Sequence, residues 1–262
     1  MSRTGIVIQA RLGSTRLPGK VLADLGGRPM LTRQIERLRL VSGVDCIVVA
    51  TTDASLDDPV AALVRSLDGV GLWRGPEEDV LARFAGAAAA FDLDAIGRVT
   101  GDCPLIDPAV IGRVLAAFRS TPGCDYSSNC RPRTWPFGFD VEFVSRRALD
   151  AAQHEATDPF DRQHVLVYVF TRPERFRCIN AVHDNVNEQS LRLTVDYPED
   201  LELVRALFEE LRPLWPDFGL SEILAVLKRR PELRRINATV PSHESITDAS
   251  QRGVTRGRMA AR

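Results

Sequence analysis

Three cations, two hydroxyls and two glycines crowd one short stretch near the start of the chain: Arg11, Gly13, Ser14, Thr15, Arg16, Gly19 and Lys20, with Pro18 among them. They follow directly on an apolar run, Gly5-Ile6-Val7-Ile8. A buried strand running into a glycine-rich basic loop is how α/β proteins place an anion site beyond the carboxyl end of a strand. Backbone N–H groups opened by glycine, with Arg and Lys beside them, suit a polyphosphate. Spacing excludes the two common versions. Gly13 and Gly19 are separated by five residues and Val21 follows Lys20, so the Mg²⁺-binding hydroxyl of a Walker A loop is missing. A dinucleotide fingerprint G-x-G-x-x-G is also absent after this strand.

Two carboxylates stand out further along. Asp102 and Asp196 each follow an apolar run, and a parallel sheet would bring both to the edge that carries the basic loop. Such a pair suits Mg²⁺, a hard cation that keeps waters and borrows phosphate oxygens; each is equally readable alone as a polar cap on a strand end. Asp92-Leu93-Asp94 has the D-x-D spacing of metal-dependent glycosyltransferases but precedes its strand, at the wrong edge of the sheet. The five cysteines include no C-x-x-C and no His at a ligand spacing, which argues against zinc. Cys103, in a polar loop, is a candidate nucleophile without an evident base.

The elements that must position these groups alternate strand and helix four times. Strands are expected at 5–8, 46–53, 70–75 and 95–100. Helices are expected at 30–40, at 58–67 behind an Asp58-Pro59 start, at 77–91 and, behind Asp107-Pro108, at 109–118. That order predicts right-handed βαβ units and a mostly parallel sheet. Residues 120–140 break the pattern and read as a protruding arm, whose Tyr126, Trp135, Phe137 and Phe139 suggest a homodimer contact. Strands at 140–144, 176–182 and 191–196 follow, with helices at 146–153, from Asp158 to Phe170, from Pro198, and at 222–228 behind Ser221. One domain over 1–236 is expected, with a flexible tail over 237–262.

Bulk numbers set the class. Of 262 residues, 44% are hydrophobic and 26% charged, ordinary for a soluble enzyme, and a formal net charge of −1 gives no global field for nucleic acid or a membrane surface. No stretch approaches the length of a membrane span and no signal peptide is visible, so the cytoplasm is the expected compartment.

The string Gln9-Ala10-Arg11-x-x-Ser14-x-Arg16-Leu17-Pro18-Gly19-Lys20 closely resembles the signature of cytidylyltransferases that activate acidic sugars as CMP derivatives. The CMP-acylneuraminate and CMP-Kdo synthetases are members, and the branch named for spore coat polysaccharide biosynthesis protein F is the most similar. Asp79-Val80-Leu81-x-Arg83-Phe84, Arg98-Val-Thr100-Gly101-Asp102-Cys103-Pro104 and Thr194-Val-Asp196-Tyr-Pro198-Glu-Asp200 match that branch too, so the resemblance covers about residues 4–235.

The resemblance implies a three-layer Rossmann-like α/β fold of the nucleotide-diphospho-sugar transferase (GT-A-like) type. It implies Mg²⁺-dependent transfer of CMP from CTP to a small anionic acceptor, in a homodimer. Arg11, Ser14 and Lys20 would hold the triphosphate with Arg16 near, and Gly13, Thr100 and Gly101 would complete the nucleotide site. The backbone of Ile8, Gln9 and Ala10 would read the pyrimidine, helped by Thr51, Thr52 and Asp53. Arg11, Lys20 and Asp102 would be catalytic, with Asp102 and Asp196 as metal ligands. Arg74, Arg83, Asp140, Glu142, Arg162 and His164 would face the acceptor, with Arg162 or Arg83 pairing with its carboxylate or phosphonate and His164 a candidate base. Asp161-Arg162-x-His164 reads equally as a local capping cluster. A sugar acid leads as acceptor, with a phosphonate or phosphorylated compound as the variant. Two other classes remain open: a nucleotide-sugar glycosyltransferase, which needs a D-x-D at the right strand end, and a nucleotide sensor, which tolerates loss of Asp102 or Asp196.

Overall fold

The computed structural model describes residues 2–183 and 188–241. Four apolar runs form the parallel strands β1 (Thr4–Gln9), β2 (Cys46–Thr52), β3 (Val70–Gly75) and β4 (Ala95–Thr100). The helices between and after them are α1 (Met30–Leu38), α2 (Asp58–Arg65), α3 (Val80–Ala90) and α4 (Pro108–Ser120). The chain continues through β5 (Tyr126–Ser128), β6 (Glu142–Ser145), α5 (Arg146–Glu155), α6 (Pro159–Gln163), α7 (Val167–Phe170), β7 (Cys178–Asn180), α8 (Pro198–Leu211) and α9 (Leu220–Arg229). Strand order is β3-β2-β1-β4-β6-β5-β7. β6 runs antiparallel to both neighbours, while β5 and β7 pair in parallel.

Two apolar layers follow from strand alternation, and a third cluster lies outside the sheet. Ile6, Ile8, Val49 and Val99 pack with α1, α2 and α4 on one face. Val7, Val48, Ile96 and Val144 pack with α3, α5 and α7 on the other. The third cluster joins α8 and α9 to Leu25, Met30, Trp135, Phe139 and residues 191–195. Asp107 ties this cluster to the sheet: one carboxylate oxygen accepts from Ala109 N–H at 2.7 Å and the other from Leu220 N–H at 2.8 Å.

Several expectations are corrected. Residues 120–140 do not protrude. Tyr126–Ser128 is a buried sheet strand, and Trp135 and Phe139 are core residues, because the aromatics that suggested an interface have inside surfaces to cover. Residues 191–196 are buried and extended but not a sheet strand: Leu193 N–H donates to Phe137 O and Val195 N–H to Asp102 O, so the segment lies against two loops. The expected strand at 176–182 shrinks to Cys178–Asn180.

The expected helix from Asp158 to Phe170 breaks at Val165 (φ 57°), which lets Val165 and Leu166 both reach the core. Asp79 caps α3 through Ala82 N–H, so that helix starts later than residue 77. Gly219 rather than Ser221 occupies the cap of α9. The tail does not begin at 237, since Asn237 is buried and donates to Arg192 O at 3.1 Å and Asp200 at 2.9 Å. Residues 242–262 of the expected tail lie outside the described residues.

Candidate active site

The basic loop leaves β1 at Gln9 and is folded by its own backbone. Leu12 O accepts from both Ser14 N–H (2.7 Å) and Gly19 N–H (3.0 Å), closing the loop on itself. Gly19 has φ 73°, the left-handed region that glycine enters without strain, and it turns the chain into a 3₁₀ turn that carries Lys20. Gly101, at the end of β4, serves by its smallness: a Cβ there would meet Ala10 Cβ at 3.1 Å and Gln9 O at 3.2 Å. The loop therefore sits pressed against the β4 end. Between them lies a cleft of about 250 Å³ lined by Gln9, Ala10, Arg11, Gly13, Ser14, Thr15, Arg16, Lys20, Val21, Thr100, Gly101, Asp102 and Asp196.

Each cation at this cleft holds a carboxylate. Lys20 Nζ donates to Asp102 Oδ2 at 2.9 Å, Asp196 Oδ1 at 2.8 Å and Val195 O at 2.8 Å. Arg16 reaches Asp196 Oδ1 at 2.9 Å and lies 5.1 Å from the Tyr197 ring centre. Arg11 pairs with Glu77 at 3.0 Å. Burial alone would lower the pKa of the Lys20 ammonium, but Asp102 and Asp196 overcome it and raise it. Burial would likewise push the Asp102 carboxyl up, yet Lys20 outweighs it and holds the group below the ordinary range. Behind Asp196, Arg192 grips Asp196 Oδ2 and both oxygens of Asp200, each at 2.9 Å.

Among the described residues no group of three or more His, Cys, Asp or Glu is arranged to hold a metal ion by itself. The donor set is two carboxylates around one cation position, held here by an ammonium, with an open cleft beside it. Two hard oxygen donors with room for phosphate oxygens fit a divalent cation such as Mg²⁺.

Most of the expected nucleotide residues converge on this cleft. Ile8 is a buried core residue whose side chain contributes nothing there, and Thr51, Thr52 and Asp53 lie one strand over, outside its lining. Of the residues expected at the acceptor, four have their polar groups engaged within the fold. Arg74 binds Thr52 O, Ala54 O and Asp58. Arg162 binds Asp79, Gln153 and Ala156 O rather than Asp161 or His164, the neighbours that its spacing suggests. Glu142 is buried, accepts from Tyr126 Oη, Arg98 and Arg131, and is pulled down to about 2 because these partners outweigh the desolvation that would raise it. Asp140 forms a forked pair with Arg133.

Arg83 differs from all of these. It is 0% exposed, and none of its three guanidinium nitrogens has a hydrogen-bond partner. His164 is half-buried, and burial, then the nearby Arg98, lowers its pKa, so it is held neutral. Cys103 is buried, and burial followed by Asp102 raises its thiol well above its ordinary value, which removes it as a nucleophile.

Asp57 is a residue that sequence reasoning missed. It occupies the cap position of α2 yet makes no cap bond. Its Oδ1 accepts instead from Leu12 N–H in the basic loop at 2.7 Å, and its Oδ2 binds the Thr52 hydroxyl. The sequence signal was the Asp57-Asp58-Pro59 run, where Asp58 already suffices to start a helix.

A mostly parallel sheet with a folded cationic loop and Asp102 at the carboxyl ends of its strands, joined by Asp196 from a segment outside the sheet, defines a nucleotide-binding α/β enzyme. The sequence matches the cytidylyltransferase family over residues 5–218. It is 33% identical over 232 residues to the spore coat polysaccharide biosynthesis protein SpsF of Bacillus subtilis, covering 86% of this chain and 94% of that protein. It is 30% identical over 243 residues to the 3-deoxy-manno-octulosonate cytidylyltransferase of Anaeromyxobacter sp. (strain K), covering 79% of this chain and 98% of that protein. Among solved structures, a cytidylyltransferase from Leptospira borgpetersenii superposes with a TM-score of 0.83 at 30% identity, covering 93% of this chain and all 100% of that one. A CMP:2-keto-3-deoxy-manno-octonic acid synthetase in complex with CTP shares the fold at TM-score 0.59 and 23% identity. The chain belongs to the cytidylyltransferase family, and it is a CTP-dependent nucleotidyltransferase.

Two outcomes follow. Asp57→Ala frees Leu12 N–H and should raise the KM for CTP about tenfold or more, while Asp57→Asn, which keeps an acceptor for Leu12, should stay within about threefold, each bond being worth roughly 1 kcal/mol. A role confined to stability would instead lower the melting temperature of Asp57→Ala and leave KM unchanged. Glu142, lowered from 4.5 to about 2, contributes stability that is present above pH 4.5 and lost as pH falls toward 2. Urea midpoints of the wild type and Glu142→Gln should therefore differ most at neutral pH and converge below pH 4.5.

Proposed function

We propose that this chain transfers CMP from CTP to a sugar acid, with release of pyrophosphate, in the cleft between the basic loop and the β4 end. An acceptor oxygen attacks the α-phosphorus, the bond to the β-phosphate oxygen breaks, and pyrophosphate leaves with that oxygen. Such a step needs in-line positioning and charge neutralisation more than covalent help. The observation that carries the reading is the set of three cations, Arg11, Arg16 and Lys20, each held by a carboxylate at one cleft. A triphosphate is a stronger partner for all three than the acids they hold now. The Ser14 hydroxyl and the glycine-opened backbone beside Gly13 would add donors, and Lys20 would follow the charge that develops on the leaving pyrophosphate.

Asp102 and Asp196 are the residues that would hold Mg²⁺ once Lys20 turns to phosphate. The ion would supply neutralisation of phosphate charge. Gln9, Ala10 and Thr100 form the adjoining wall, with the β2 end (Thr51, Thr52, Asp53) beyond it on the base side.

The sugar-acid assignment rests on the relatives and on two side chains. Arg83 is a buried guanidinium with no partner, a costly state that a substrate carboxylate oxygen would relieve. His164, kept neutral, is able to accept the proton of an attacking hydroxyl. The 3-deoxy-manno-octulosonate cytidylyltransferases act on an acid of this class by their name. Assembly as a homodimer and a cytoplasmic setting accompany this reading.

Pyrophosphate release, measured with each nucleoside triphosphate against a panel of sugar acids, phosphonates and phosphorylated sugars, should appear with CTP plus a sugar acid. Release only with non-carboxylate acceptors, or cleavage of a nucleotide sugar instead, would sink the assignment. Asp102→Asn should lower kcat at least 1,000-fold (about 4 kcal/mol) and leave CTP binding measurable by calorimetry; full turnover would remove Asp102 from the site.

A further inference from the structure

A second cavity lies behind Asp196. Phe137, Leu191, Arg192, Arg234, Asn237 and Val240 are among the residues that line its roughly 310 Å³. Its residues come from the loop before β6, from the extended segment that carries Asp196, and from the turn after α9. None of them lines the donor cleft, and Asp196, which does, does not line this cavity. One ion pair links the two linings, Arg192 Nη2 to Asp196 Oδ2 at 2.9 Å.

Arg192 is 8% exposed, and its hydrogen bonding is incomplete. Nε and Nη2 are engaged by Asp200 and Asp196, but Nη1 is buried without a partner. A guanidinium N–H left so is expensive, and the space that this residue lines is the rear cavity. Arg234 adds a second guanidinium, tied only loosely to Glu188 at 3.3 Å. The rest of the wall is mixed: Phe137, Leu191, Ala238 and Val240 are apolar, and Ser190 and Asn237 are polar. Two cationic groups together with an aromatic and aliphatic surface in one cavity suit a molecule with a charged head and an apolar body.

We propose that this cavity is a second binding site, for a small organic oxyanion whose head sits on Arg192 Nη1 and Arg234, and that it is coupled to the donor cleft through the Arg192–Asp196 pair. An oxyanion at Nη1 competes for the charge of the guanidinium that holds Asp196. Asp196 then draws harder on Lys20 and Arg16, the cations that a triphosphate must take over. Occupation of the rear site therefore weakens CTP binding, and by linkage CTP weakens the rear ligand by the same factor.

The test uses the full chain with saturating Mg²⁺ and CTP, no acceptor, and calorimetric titration of phenyl phosphate and benzoate, with inorganic phosphate as the head without a body. Binding with the donor cleft filled is expected for one of the two organic probes, which separates a phosphate head from a carboxylate head, and inorganic phosphate should bind at least threefold more weakly. Arg234→Ala and Ala238→Trp, at exposed positions with no part in the donor cleft, should weaken the probe at least tenfold while thermal melts and CTP affinity without probe stay unchanged. In the wild type the preferred probe should raise the apparent Kd for CTP at least threefold, and in Arg234→Ala it should not. Probe binding abolished by CTP, indifference of the probe to both substitutions, or no effect of the bound probe on CTP would each overturn the proposal.

Discussion

The Lys20 ammonium, held between Asp102 and Asp196, is the interaction on which the rest of the structure depends. A buried lysine is costly unless its charge is met, and here two carboxylates and a backbone carbonyl meet it. Removing it would leave two acids facing each other in one cleft, and removing either acid would strand a buried cation. The arrangement works as a resting state only because every charge in it has a counter-charge that substrate can replace. In the proposed function, triphosphate would compete for Lys20, Arg16 and Arg11, and a divalent ion for Asp102 and Asp196. Binding is then an exchange of partners rather than a new burial of charge, which keeps the desolvation cost low.

The scaffold fixes the positions of these groups by short-range devices. Gly19 turns Lys20 inward, Gly101 lets β4 approach the loop, and Asp57 gives up capping α2 to hold Leu12. Asp200 reaches back to Asp196 N–H and Tyr197 N–H, fixing the start of α8 and the backbone of the catalytic-side aspartate together. Four parallel strands bring the loop and Asp102 to one edge, and the segment from 191 to 196 adds Asp196 from outside the sheet.

The strand–helix alternation over the first 120 residues was legible because buried parallel strands are continuous apolar runs with proline and aspartate punctuation between them. The basic loop and its aspartates were legible by type and spacing. What could not be read was which charged groups the fold uses for itself. Arg74, Arg162 and Glu142 carry the same chemistry as substrate-binding residues, and only the three-dimensional partners reveal that their atoms are engaged. The segment 191–196 alternates like a strand, yet burial against loops produces the same alternation as burial in a sheet. Residues 120–140 misled for a related reason: aromatic residues among turn formers look like an exposed arm until Trp135 and Phe139 are seen to fill the third apolar cluster.

The central claim is that Lys20 occupies the cation position between Asp102 and Asp196 until nucleotide draws it away. Manganese(II) binding, followed by electron paramagnetic resonance in the wild type and in Lys20→Met, with and without CTP, tests it most directly. The account predicts weak binding to the nucleotide-free wild type, at least tenfold tighter binding with CTP, and tighter nucleotide-free binding in Lys20→Met than in the wild type. Equal affinity with and without CTP in the wild type, together with unchanged or weaker binding in Lys20→Met, would contradict it.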